Sequence, residues 1–118
     1  MKNYTLKFNG IEATENTKEF LDAFTTTEVS LCVGIYARLL NNILIESNVI
    51  YKKYDYYLPY ENISKELYIL KEYKSTDKYS ASIRWTELGK SFIIKDIDEL
   101  LAKCGKRTKL QFKKFVSK

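Results

Sequence analysis

The stretch TTTEVSLCVGIYARLLNNILIES, Thr25 to Ser47, decides the fold. Thr25 can cap a helix, and Glu28 three places on can reach back to the cap's own backbone N–H, the reciprocal arrangement of a capping box. The helix carries Val29, Leu31, Cys32 and Val33 and stops at Gly34, a residue suited to the left-handed position after a helix end. A second helix begins at once near Ile35 and continues to about Ser47. At about 100° per residue, Ile35, Tyr36, Ala37, Leu39, Leu40, Ile43 and Leu44 fill one broad arc. Arg38, Asn41, Asn42, Ile45 and Glu46 occupy the other. Two short helices joined by a tight glycine turn, the second with a polar outer stripe, make a helix-turn-helix pattern. Cys32, between Leu31 and Val33, reads as a small buried core residue.

Upstream, Tyr4 to Phe8 alternates and ends at Asn9-Gly10, a strand followed by a turn. Asn16-Thr17-Lys18-Glu19 has the N-cap and N3 spacing of another capping box, with Asn16 as cap, before the short amphipathic run Phe20, Leu21, Ala23, Phe24. Downstream, Ile50 to Tyr54 and Tyr56 to Leu58 favour strands by their aromatic and β-branched content, and Pro59 limits any central strand there. Leu67 to Tyr73 admits either strand or helix. Tyr79 to Trp85 has period two, with Tyr79, Ala81, Ile83 and Trp85 on one side and Ser80, Ser82 and Arg84 on the other. Thr86 caps a helix carrying Leu88, Phe92, Ile93, Ile97, Leu100 and Leu101, with a break expected near Lys95-Asp96.

The chain has 118 residues, enough for one core without disulfide or metal staples. Histidine is absent, which removes Ser-His and Cys-His mechanisms and imidazole zinc sites. Two cysteines cannot make a four-cysteine site, and no glycine-rich phosphate loop is present, so the chain is read as neither an enzyme nor a cofactor protein. No apolar run reaches the length of a membrane span, and Met1 to Gly10 lacks a signal peptide's apolar region. Those features and the two thiols point to the cytoplasm.

Charge is unevenly placed. Residues 103–118 carry Lys103, Lys106, Arg107, Lys109, Lys113, Lys114 and Lys118 and no acid, while residues 1–102 hold 13 basic and 15 acidic groups. The expected organisation is therefore one domain over 1–102 and a basic C-terminal tail over 103–118. Such a tail suits nucleic acid or another anionic surface.

Three stretches carry a family resemblance: Ala37-Arg38-Leu39-Leu40-Asn41-Asn42-Ile43-Leu44, Tyr57-Leu58-Pro59-Tyr60, and Arg84-Trp85-Thr86-Glu87-Leu88-Gly89-Lys90-Ser91-Phe92-Ile93. The chain over about 20–97 resembles the C-terminal domain of phage antirepressors, the KilA C-terminal (KilAC) family. The last stretch is similar to its Lys-Trp-Thr-x-x-Gly-x-x-Phe-Ile signature. That resemblance implies an α+β, winged-helix-like helix-turn-helix with a small antiparallel sheet and a C-terminal helix. It also implies a phage or prophage regulator that binds double-stranded DNA. In such antirepressors this domain follows a separate N-terminal domain. Here only about 20 residues precede it, which puts antirepressor activity itself in question.

The signature reads as structural: Trp85, Leu88, Phe92 and Ile93 as core, Gly89 as a point of close backbone approach. Arg38 and Asn42, one turn apart on the polar stripe, can reach base edges or phosphate. Asn41 can read adenine or bond within the motif. Lys52 and Lys53 suit phosphate contact from a wing, as do Lys106, Arg107 and Lys109 from the tail. Tyr51, Tyr54, Tyr56, Tyr57 and Tyr60 cluster with Lys52 and Lys53. Such interleaving stacks on unpaired bases or, as the leading reading, covers a sheet or an interface. The small contact area of one such domain favours a homodimer. The competing reading is a phage-encoded protein-interaction module or inhibitor, directed at a host or phage regulatory protein, that keeps the fold without reading DNA. The cation-poor second helix supports it.

Overall fold

In a computed structural model, residues 3–116 are described, and they form six helices and six strands. Strand β1 (Tyr4–Phe8) turns at Asn9-Gly10 into β2 (Ile11–Ala13). Both turn residues have positive φ, 51° and 84°, the backbone that Asn-Gly accommodates in a two-residue hairpin. Asn9 then clamps the neighbouring strand: its side chain donates to the Tyr68 carbonyl at 3.0 Å and accepts from the Leu70 N–H at 2.7 Å.

Helix α1 (Lys18–Asp22) is capped by Thr17, whose hydroxyl accepts from the Phe20 N–H. The cap expected at Asn16 thus moves one residue on, because threonine's oxygen reaches N3 equally well. Helix α2 (Thr26–Val33) has the full capping box at Thr25 and Glu28 and ends at Gly34 with φ 89°. Thr25, donating to Glu28 through its backbone N–H at 2.9 Å, holds that carboxyl below its usual range. Helix α3 (Ala37–Glu46) follows, its axis bent 96° from α2.

Strands β3 (Ile50–Lys53) and β4 (Tyr56–Pro59) form an antiparallel hairpin around Tyr54-Asp55. Pro59 sits at the end of β4, in a two-stranded sheet where its missing N–H costs little. Strands β5 (Tyr68–Ser75) and β6 (Tyr79–Trp85) complete a four-stranded antiparallel sheet of order β2-β1-β5-β6. Phe24 exchanges both backbone hydrogen bonds with Trp85, tying the chain between α1 and α2 to the end of β6.

Helices α4 (Glu87–Lys95) and α5 (Ile97–Ala102) break at Asp96. Thr86 caps α4 by accepting from Gly89 N–H, and its own hydroxyl donates to the Glu66 carbonyl. A Cβ on Gly89 would lie 1.8 Å from the Leu67 carbonyl oxygen, so only glycine lets those backbones meet. The last helix, α6 (Lys106–Val116), corrects the expectation of a tail. It packs on the domain through buried Thr108 and Phe112, and only Ser117 and Lys118 of that stretch lie outside the described residues.

The main core gathers Val29, Leu39, Leu40, Ile43, Leu44, Ile50, Trp85, Ile93, Leu100 and Phe112. Trp85 is fully buried, and its indole N–H donates to the Thr26 hydroxyl at 3.1 Å. Leu6, Phe8 and Phe20 form a second cluster on the other face of the sheet, where the Arg84 guanidinium lies 4.5 Å from the Phe20 ring. Two core assignments fail. Cys32 is exposed, because Val29, Ser30 and Val33 form the inward stripe of α2 and Cys32 lies roughly 100° away from its centre. Leu31, further round, is 73% exposed. Leu88 is 58% exposed because Gly89 and Ile93 face inward and it precedes them by about 100°. Cys104 is the buried thiol.

Candidate nucleic-acid interface

Four side chains with no exposed surface, Leu39, Leu40, Ile43 and Leu44, fix the rotation of α3 about its axis. Arg38 is consequently exposed and Asn42 half-buried, both on the side turned from the core. Asn41 sits between them and the core. Its Oδ1 is buried with no hydrogen-bond partner, so a two-point contact with adenine would first require that side chain to turn outward.

Helix α6 lies antiparallel along α3. At one end the Tyr36 and Phe115 rings meet edge-on at 4.9 Å. At the other, the Glu46 carboxylate accepts from the Gly105 N–H at 2.8 Å and from the Thr108 hydroxyl. This places a negative charge at the start of α6, where it complements the helix dipole. The one acid of α3 is thereby committed to holding α6. Lys106, Arg107, Lys109, Lys113 and Lys114 are all exposed, and no acid occurs on this helix. Arg38, Asn42 and the cations Lys106, Arg107 and Lys109 thus ride on two adjacent, packed helices.

Lys52 and Lys53 do not act as a pair, because neighbours on a strand point to opposite faces. Lys52 shares a face with buried Ile50, which packs towards α3. Lys53 instead lines a cleft of about 1040 Å³ between the hairpin β3–β4 and the four-stranded sheet. The sheet's floor there is set by register. Lys7 pairs with Glu72, Thr5 with Lys74, and Lys74 with Tyr79. The same face continues through Leu70, Ile83 and Trp85 into the core, so it is apolar at one end and cationic at the other. Tyr79 donates its hydroxyl to Glu72 at 2.8 Å, and burial together with that bond pushes its phenol up to about 12.

Lys7 and Lys74 escape a reading of the sequence alone. Alternation in Tyr4 to Phe8 puts Lys7 opposite Leu6 and Phe8, but only the tertiary packing shows that this polar face meets a hairpin. Tyr56 packs edge-on to Tyr79 at 6.1 Å and Tyr51 against Tyr60 at 5.0 Å, so part of the tyrosine cluster does cover the sheet. Among the described residues no group of three metal-ligating side chains occurs, and no single helix is long and apolar enough to cross a membrane. In comparisons with known proteins, no family model, no curated protein and no solved structure matches this chain.

Proposed function

We propose that the chain is a double-stranded DNA-binding domain of the phage-regulator kind, with a winged-helix-like reading unit made of α2, α3 and the β3–β4 hairpin. The observation that carries this reading is the pairing of α3's outward stripe with the acid-free cationic helix α6 beside it. Arg38 and Asn42 offer donors to base edges, while Lys106, Arg107, Lys109 and, from the hairpin, Lys52 reach phosphate. The 96° bend at a glycine turn supports the same reading, since helix-turn-helix pairs cross at about 90–120°. So does the likeness of the Trp85 to Ile93 stretch to the KilAC signature.

Salt-titrated binding to duplex DNA tests it. Log affinity should fall linearly with log salt, with a slope of about −0.9 per phosphate contacted. Arg38→Ala should lower the ratio of specific to random-site affinity by about 1–3 kcal/mol while moving stability by less than about 0.5 kcal/mol. No duplex binding at low salt would overturn the reading. One observation favours a protein partner instead: Tyr36 and Phe115 leave an aromatic spot at the start of α3, beside Arg38. Aromatic and arginine side chains together are what protein interfaces concentrate.

A further inference from the structure

We propose that the cleft between the β3–β4 hairpin and the cationic end of the sheet is a second binding site, which takes single-stranded nucleic acid. It uses the hairpin face opposite Lys52 and none of the side chains named for duplex contact, and it does not depend on that reading.

Three lysines line it, Lys7 and Lys74 from the sheet and Lys53 from the hairpin. Among the described residues none of the three makes an ion pair within 4.0 Å, although lysine pairs of that kind form elsewhere on the surface. The only carboxylate lining the cleft, Glu72, takes its hydrogen bond from the Tyr79 hydroxyl rather than from a lysine. Three cations against one carboxylate leave the cleft with a net positive charge, which a chain of phosphates neutralises.

The aromatic component is as specific as the charge. Tyr51, Tyr54 and Tyr79 line the same cleft. Tyr54 stands first in the hairpin's two-residue turn, at φ 56° and 77% exposed. Folding favours glycine, asparagine or aspartate at such a position, not a large ring left in water. A strained backbone position occupied by an exposed aromatic at the mouth of a cationic cleft points to a ligand with flat faces. Unpaired bases offer such faces at a regular spacing from phosphates, whereas a duplex stacks its bases on one another and withholds them. The rim of the cleft is open, which suits a strand passing through rather than an enclosed small molecule.

The test uses the full-length chain and fluorescence anisotropy with a short mixed-sequence single-stranded DNA, the matching duplex and a free deoxynucleoside monophosphate. The strand should bind with a salt slope of about −2, from roughly −0.7 for each of three phosphates. Lys7→Gln with Lys74→Gln should weaken strand binding by about tenfold or more, flatten its slope to about −0.7 and leave duplex affinity unchanged. Tyr54→Gly, which relieves the positive φ and so preserves the turn, should weaken strand binding about fivefold or more with no loss of melting temperature. Lys106→Gln, Arg107→Gln and Lys109→Gln together should weaken the duplex and spare the strand. Strand binding with no duplex binding would sustain this proposal and overturn the duplex reading. No strand binding at low salt, or strand binding indifferent to both cleft variants, would overturn the proposal. Monophosphate binding as tight as that of the strand would replace the strand with a single nucleotide.

Discussion

Single residues decide most where they leave no room for substitution. Gly89→Ala would drive a methyl group into the Leu67 carbonyl, a backbone atom that can retreat only by moving β5 from α4. A loss of about 1–3 kcal/mol or more is expected in denaturant unfolding. The glycine's role can be read from its place in the first turn after the Thr86 cap. The two cysteines show the opposite case. Cys32 stands between Leu31 and Val33 and Cys104 between Lys103 and Gly105, so sequence context points to the wrong thiol, and only the docking of α2 and α6 decides which is covered. Burial, helped by the nearby Glu46 carboxylate, pushes the Cys104 thiol up to about 11, while Cys32 is open to solvent. An aromatic disulfide reagent at pH 8 should therefore titrate one thiol in the native protein and two in denaturant. Prompt reaction of both under native conditions would mean that Cys104 is not held as described. Cys32→Ser should abolish the fast phase at no cost in stability.

Among elements, those with strong local signals are legible: the Thr25 capping box, the Gly34 stop, the Asn9-Gly10 turn, the period-two run to Trp85 and the break at Asp96. Helix α6 is not, because its buried stripe is only Thr108 and Phe112, outnumbered by the exposed cations Lys106, Arg107, Lys109, Lys113 and Lys114. A stretch so charged reads as a solvated tail until α3 supplies a surface for it. Glu46 is the clearest sign of this dependence, since its carboxylate is the local substitute for an N-cap that α6's own sequence lacks. Glu46→Ala should cost about 0.5–2 kcal/mol, the usual worth of a cap. The loss should be concentrated in α6, visible as faster amide exchange there than in α3. Uniform exchange across both helices would show that they open as one unit. The candidate site divides in the same way. Arg38 and Asn42 follow from the wheel of α3, while the separation of Lys52 from Lys53 and the recruitment of Lys7 and Lys74 require the packing of hairpin on sheet.

At the scale of the whole molecule, charge and core are no longer separable by cutting the chain. A domain of 1–102 with a removable tail would give up only phosphate-binding cations on truncation. This molecule would also give up Cys104, Thr108 and Phe112 from its interior. Deleting residues 103–118 should therefore lower stability by several kcal/mol, about what losing a large buried aromatic with its surroundings costs. Replacing Lys106, Arg107 and Lys109 by glutamine should leave melting nearly unchanged and reduce the salt slope of duplex binding by about 0.9 for each phosphate no longer neutralised. Equal destabilisation by truncation and by neutralisation would contradict the packing of α6. The antiparallel course of α6 has a practical corollary for handling the protein. Phe115 rests against Tyr36 at the start of α3, and Asn3 and Tyr4 line the cleft. An affinity handle or fluorophore attached beside Tyr4 or Phe115 is thus delivered to the rim of a candidate binding face. The β5–β6 turn at Thr76-Asp77-Lys78 borders the same cleft, whereas Leu31 and Cys32 on the outer side of α2 offer an attachment point away from it.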